Sequence, residues 1–168
     1  QENLFSGTYG LADIAAVRAA DADTVFEWGS VTKLLVWTSA YQLVEQGRLS
    51  LDADVRSYLP DGFLSSLTYD DPLTMLNLMH HNAGFEENII GLFVAPETAT
   101  QTLAEALRDV PKQVTRPGEV TAYSNYGVAL AGYIVECIAG QPFYAYVQDN
   151  IFAPLGMEHT ALSPTLSD

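Results

Sequence analysis

The sequence predicts an α+β chain that is mainly helical, with one or two strands near its N-terminus. Three observations carry this expectation. Strand-prone segments are confined to about the first thirty positions, where Phe, Tyr, Val and Thr concentrate between glycines. Helix-length apolar stretches at 31–46 and 127–139 each end on a glycine, Gly47 and Gly140. Shorter helical segments are expected at 73–81, 100–109 and 142–150, each bounded by proline, glycine or asparagine.

Taken in order, residues 4–13 mix Phe5, Tyr9 and Leu11 with Ser6, Gly7, Thr8 and Gly10, which reads as a strand weakened by glycine. Residues 14–24 carry alanines and aspartates and read as a connecting loop. Thr24 to Trp28 is a second short β-prone segment. From Val31 to Gln46 the residues are apolar on nearly all sides, including Leu34, Leu35, Val36, Trp37, Ala40, Tyr41, Leu43 and Val44. Such a helix is expected to be buried and central. Asp52 can cap a short helix through Tyr58, which Pro60 stops.

Asp61-Gly62 is a turn, and the helix from Leu73 to His81 closes at Asn82-Ala83-Gly84. A loop is expected over 85–97, followed by an amphipathic helix from Thr100 to Asp109 that Pro111 ends. Arg116-Pro117-Gly118-Glu119 is a turn by composition. Tyr123-Ser124-Asn125-Tyr126 precedes the apolar helix, with Ser124 or Asn125 as its cap. Pro142 can open one more helix, and Pro154-Leu155-Gly156-Met157 reads as a turn. No repeat, low-complexity tract or linker divides the chain.

Composition excludes several classes. With 168 residues, 48% hydrophobic and 11% aromatic, the chain can bury a core and is not disordered. A formal charge of −14 repels nucleic acid and anionic membrane surfaces. Cys137 is the only cysteine, so no intrachain disulfide is available, and its neighbours Ile134, Val135 and Ile138 mark it as a core thiol. No cysteine–histidine cluster has metal-ligand spacing, so neither metal nor cofactor is expected. No apolar run is long enough to span a bilayer.

The chemistry centres on Trp28-Gly29-Ser30-Val31-Thr32-Lys33. Ser30 sits where a polar loop gives way to the long apolar run, and Lys33 follows three positions later. On a helix, positions i and i+3 share a face, so hydroxyl and amine can meet. A serine needs a neighbouring base to become a nucleophile, and a lysine removed from water can serve as that base. Ser-x-x-Lys alone is a loose pattern that also arises by chance. Two features raise its weight. The chain has only two lysines, Lys33 and Lys112, and Lys33 runs directly into Leu34-Leu35-Val36-Trp37.

A set of ordered segments then resembles one family. These are Ser30-Val31-Thr32-Lys33, Tyr41 to Asp52, Leu73 to Phe85, Pro117-Gly118-Glu119 with Tyr123-Ser124-Asn125-Tyr126-Gly127, and Ile151 to Met157. Their order and spacing resemble the penicillin-recognising serine hydrolases of the class C β-lactamase type. That group includes D-alanyl-D-alanine carboxypeptidases, esterases and D-aminopeptidases. The resemblance covers residues 24–162 and implies a β-lactamase/transpeptidase-like fold. It implies Ser30 as the acylated nucleophile, Lys33 as its proton partner, Tyr123 as general base and later acid, and Asn125 as the residue that binds the substrate amide and orients Lys33. A phenol is a poor base at its ordinary pKa of about 10 and needs cationic charge nearby, for which Lys33 is the candidate. His80-His81 resembles no metal site, because adjacent helical residues point apart. His81 is read as a structural hydrogen-bonding residue rather than a catalytic one.

Departures from the family pattern shape the remaining expectations. The third motif, Lys-Thr-Gly or His-x-Gly on a late strand, is not found: Lys112 precedes the tyrosine motif, and His159-Thr160-Ala161 lacks the glycine. The chain therefore reads as a partial serine hydrolase domain over 1–168, with a sheet remnant at 1–30, the nucleophile helix and helical region at 31–162, and the late sheet strands missing. One face of the 31–46 helix is then expected to need cover from a missing C-terminal segment or from a second copy in a homodimer. The oxyanion hole would keep only the Ser30 amide, and losing one donor lowers rate about a hundredfold to a thousandfold. The chain by itself is expected to be nearly inactive. The substrate expected for the whole protein is a small molecule or peptide: a D-Ala-D-Ala peptide, a β-lactam, or a small ester or amide. The location implied is extracytoplasmic in a bacterium. Two other readings stand beside it, a non-catalytic penicillin-binding-like sensor or scaffold and an unrelated helical interaction domain.

Overall fold

The computed structural model describes residues 5–88 and 101–162. Of the loop expected over 85–97, residues 89–97, with Gly91 and Pro96, lie outside the described residues, as do the ends of the expected segments at Leu4 and Thr100. The chain divides into two compact units, Gln1–Thr32 and Lys33–Asp168.

The first unit holds a small antiparallel hairpin, β1 (Leu11–Asp13) with β2 (Arg18–Ala19), in which Leu11 pairs with Ala19 and Asp13 with Arg18. Residues 14–24 are thus not one loop. Asp13 folds the chain back by accepting the Ala16 N–H at 2.9 Å, and Val17 takes φ 52° at the turn. The expected β-prone segment Thr24–Trp28 forms no strand, because β-propensity has no effect without a ladder partner and no described residue pairs with it. The unit ends in a 3-10 turn, Gly29–Thr32, entered through Gly29 at φ 51°.

The second unit is helical. α1 spans Lys33–Glu45 and ends as expected on Gly47, at φ 70°. The Arg48 N–H donates to the Leu43 carbonyl at 2.9 Å and the Gly47 N–H to Val44 at 2.9 Å, which satisfies carbonyls the helix end leaves open. The short helix that follows is a 3-10 turn, Val55–Tyr58, capped by Asp54 and not by Asp52. Asp54 wins because its carboxylate accepts the Arg56 N–H at 3.0 Å and also pairs with the Arg56 guanidinium. That pairing holds the Asp54 carboxyl below its ordinary pKa.

α2 (Met75–Met79) starts on a reciprocal cap. Asn77 N–H donates to the Thr74 hydroxyl at 3.2 Å, while Asn77 Oδ1 accepts the Thr74 N–H at 2.9 Å. α3 (Leu103–Ala106) is shorter than the expected 100–109 helix, and begins on a similar box between Thr102 and Glu105.

α4 (Asn125–Ala139) is the hub: it packs against α1, α2, α3 and α5. Leu130, Ala131, Ile134 and Val135 on it are fully buried, together with Leu43, Leu73, Met75, Leu78 and Val147. Burying each large aliphatic side chain contributes about 1.5–3 kcal/mol. The central role expected of α1 therefore falls to α4. α1 buries one face through Leu35, Val36, Ala40 and Leu43, while Leu34 is 62% exposed and Tyr41 54% exposed.

After Gly140 the chain turns into α5 (Phe143–Val147), whose first N–H is taken by Glu136 Oε2 at 2.9 Å. It continues as a π-helical turn, Gln148–Phe152, and α6 (Ala153–Leu155), so the stretch read as a turn at Pro154 begins inside helix. Pro154 has no N–H to give the Asn150 carbonyl. Gln42 Nε2 on α1 supplies a donor to it at 3.0 Å, and the proline lies at the first turn of α6, where a missing N–H is tolerated. No single helix among the described residues is long and apolar enough to cross a membrane.

Candidate active site

The segment after α2 sets up the site. His81 ends that helix at φ 53°, a conformation that histidine tolerates better than most residues. Its carbonyl accepts the Ala122 N–H at 2.7 Å, and its ring Nδ1 accepts the Ser124 N–H at 3.2 Å. The ring proton therefore sits on Nε2. Burial, and secondarily the Lys33 charge, push the imidazole below its usual pKa, which favours the neutral form that can accept. The expectation of a structural histidine at 81 fits these contacts.

Gly84 follows at φ 84°. A Cβ there would stand 2.1 Å from the Thr115 carbonyl oxygen, so only glycine fits. That close approach lets Phe85 bridge Gln113, with the Val114 N–H on the Gly84 carbonyl at 2.9 Å and the Glu86 N–H on Lys112 at 2.9 Å. Buried Gln113 adds a hydrogen bond from Nε2 to the Ala83 carbonyl at 2.9 Å. Residues 81–87 are thereby fastened to the 112–125 segment.

The Tyr123-Ser124-Asn125 turn rests on this frame. Ser124 is the N-cap of α4, its hydroxyl accepting the Gly127 N–H at 3.0 Å. Ser124 is buried, while Tyr123 beside it is 50% exposed. The Tyr123 ring stacks on His81 at 4.7 Å between centroids, and Lys33 Nζ stands 4.9 Å from the Tyr123 centroid. Tyr126, one residue past the motif, differs: its hydroxyl donates to the Leu107 carbonyl at 3.2 Å, and burial drives its pKa well up. Of the two tyrosines, only Tyr123 is open to a substrate.

Lys33 Nζ donates to Asn125 Oδ1 at 2.8 Å. The second unit thus brings together three of the residues expected at the site: Lys33, Tyr123 and Asn125. Ser30 lies in the first unit, exposed, in the 3-10 turn Gly29–Thr32. A hydrogen-bond acceptor holds an amine in place, so Asn125 keeps the Lys33 amine beside the Tyr123 ring.

One participant is absent from the sequence reading. Glu87 Oε2 accepts the Asn125 backbone N–H at 2.9 Å, and its Oε1 accepts from Asn125 Nδ2 at 2.7 Å. The only local signal was an acidic pair, Glu86-Glu87, just after Gly84. Among the described residues, no group of three or more His, Cys, Asp or Glu could hold a metal ion.

Comparison with known proteins bears on this arrangement. The pattern of the Beta-lactamase family matches residues 1–168. A putative D-alanyl-D-alanine carboxypeptidase of Escherichia coli is 31% identical over 159 residues, covering 88% of this chain and 36% of that protein. The chain thus spans little more than a third of the length of the relative it matches. Among solved structures, the penicillin-binding protein of Bacillus halodurans superposes with TM-score 0.75 at 27% identity, over 90% of this chain and 46% of that one. The D-amino acid amidase of Ochrobactrum anthropi superposes with TM-score 0.73 at 27% identity, over 89% and 41%. The fold is that of the β-lactamases and transpeptidases, present here as its helical part with a single two-stranded sheet among the described residues. With the family pattern running the whole length of the sequence, the chain belongs to the Beta-lactamase family.

Proposed function

We propose that the protein is a serine hydrolase working through a covalent acyl-enzyme. Its substrates are D-Ala-D-Ala peptides, β-lactams or small esters and amides. The observation that carries this reading is the placement of Lys33 Nζ, 2.8 Å from Asn125 Oδ1 and 4.9 Å from the Tyr123 ring centroid. That is the surrounding a serine-activating lysine needs. The carboxypeptidase and amidase named among its relatives support the acyl-transfer class.

In the proposed cycle, Ser30 Oγ attacks the substrate carbonyl and its proton passes to the Lys33–Tyr123 pair. A C–O bond forms, the carbonyl electrons move to oxygen, and the oxyanion collapses by expelling the amine or alkoxide. Tyr123 returns the proton to that leaving group. Water then attacks the ester, giving up a proton to the same pair, and Ser30 leaves with its proton restored. Asn125 keeps Lys33 aligned and offers its remaining amide hydrogen to the substrate. The class C character, the near-inactivity of the 168-residue chain alone and an extracytoplasmic bacterial location belong to this reading. So does cover for Leu34 and Tyr41 on α1, by further C-terminal chain or by a second copy.

Hydrolysis of a D-Ala-D-Ala peptide and of a p-nitrophenyl ester by the full-length protein tests the proposal, beside Ser30→Ala. The reading requires turnover that Ser30→Ala abolishes. A stable adduct with no turnover supports the alternative of a penicillin-binding sensor, which the half-open setting of Tyr123 also permits.

A further inference from the structure

Asn125 has two faces that look alike in shape and differ in chemistry. Its amide can place oxygen or nitrogen toward Lys33, and rotation by half a turn exchanges them. A protonated Lys33 selects the oxygen. A neutral amine, formed whenever Lys33 has given up its proton, both donates and accepts and selects neither.

We propose that Glu87 is a positioning residue that fixes which end of the Asn125 amide faces Lys33. The proposal rests on the hydrolase reading and adds to it a residue outside the Ser-x-x-Lys and Tyr-x-Asn motifs. The Glu87 carboxylate has only acceptor oxygens, and Oε1 lies 2.7 Å from Asn125 Nδ2. With the nitrogen held there, Oδ1 must point to Lys33, where it is found at 2.8 Å. The second carboxylate oxygen takes the Asn125 backbone N–H at 2.9 Å. That N–H is one of the open donors at the start of a fifteen-residue helix, and a carboxylate is favoured there by the helix dipole. Glu87 is in turn located by its neighbour: the Glu86 N–H is anchored on the Lys112 carbonyl at 2.9 Å, across the bridge that Gly84 makes possible.

The consequence is specific to the proton cycle. Asn125, the Tyr123 ring and the His81 imidazole are among the groups around Lys33. None of these forces the amide into one orientation while Lys33 is neutral. Glu87 does so at every stage, and Lys33 finds the same acceptor when it regains its proton. Of the amide's two N–H groups, one is committed to Glu87 and one is left for substrate.

A double-mutant cycle in the full-length protein tests this. Acylation by a penicillin or an activated ester is timed by intact mass in wild type, Glu87→Ala, Asn125→Asp and the double variant. An aspartate at 125 has two equivalent oxygens and no orientation to lose. Glu87→Ala is expected to slow acylation about tenfold or more in the wild-type background, the scale of a lost charge-assisted hydrogen bond. In the Asn125→Asp background it is expected to cause no further loss, or to speed the reaction by removing a like charge. Equal losses in both backgrounds would overturn the proposal, because a merely structural role is indifferent to the side chain at 125. The Asn125 side-chain amide resonances give a readout independent of turnover, and Glu87→Ala is expected to shift them. Unmoved resonances with normal acylation of wild type overturn the positioning role and leave the hydrolase reading standing. Failure of Ser30 to acylate in every variant overturns the hydrolase reading itself, and with it the catalytic meaning of the pair.

Discussion

Asn125 Oδ1 accepts a hydrogen bond from Lys33 Nζ at 2.8 Å, although 92 positions separate the two residues. The contact joins the start of α1 to the start of α4, the hub of the second unit. Removing the acceptor takes away the hydrogen bond that ties the lysine to the start of α4. Asn125→Ala is expected to slow acylation of the full-length protein by about tenfold to a hundredfold, as for other hydrogen bonds to charged groups. Stopped-flow measurement of the ester burst reads this directly, and an unchanged burst rate would exclude an aligning role.

Gly84 carries the close approach on which the site frame depends. Gly84→Ala meets two penalties at once, a φ of 84° and a Cβ placed 2.1 Å from the Thr115 carbonyl oxygen. The expected loss is about 3 kcal/mol or more, the scale of forced backbone strain and steric overlap. Urea unfolding measures it, and a loss within experimental scatter would contradict the described backbone path.

Gln113→Leu removes the donor that satisfies the Ala83 carbonyl at 2.9 Å. The position is buried, so no water replaces the bond. Stability is expected to fall by about 1–3 kcal/mol. Amide exchange is expected to quicken most along 83–87, since those residues are fastened through this strip.

His81 gives the fold a pH dependence whose sign is fixed by its surroundings. Burial, then the Lys33 charge, lowers its pKa below the ordinary 6.5. The unfolded chain therefore binds more protons in that window, and stability rises with pH. The contribution is fully present above the unfolded value of about 6.5 and is lost as pH falls through the lower, folded value. Protonation also removes the lone pair that accepts the Ser124 N–H. His81→Gln keeps an acceptor without a titration, so its stability is expected to lose this slope below about pH 6.5. A slope that survives the substitution would assign the dependence to another group.

Much of this arrangement was legible because it is local. Apolar length and a closing glycine give α1 and α4 their extent, and Ser124 caps α4 as its side chain allows. The cap at Asp54 rather than Asp52 was hidden, because Arg56 chooses between them through its guanidinium. Pro154 reads as a turn until Gln42, on another helix, answers the carbonyl that the proline leaves open. The exposed flank of α1 at Leu34 and Tyr41 likewise depends on what packs beside it, which periodicity does not contain. In the site, Lys33, Tyr123 and Asn125 were carried by motif. Glu87 was not, since its meaning comes from a partner 38 positions away. Motifs record chemistry that a side chain can perform, and only the fold says which acceptor steers it.

In the proposed mechanism Ser30 is the nucleophile and Lys33 serves it. The most direct test is intact-mass spectrometry of the full-length protein before and after incubation with a penicillin and with an activated ester, followed by peptide mapping. The proposed mechanism requires one covalent acyl adduct per chain, carried on the peptide containing Ser30, absent from Ser30→Ala and strongly slowed in Lys33→Ala. No adduct with either reagent, or an adduct that persists unchanged in Ser30→Ala, would contradict it.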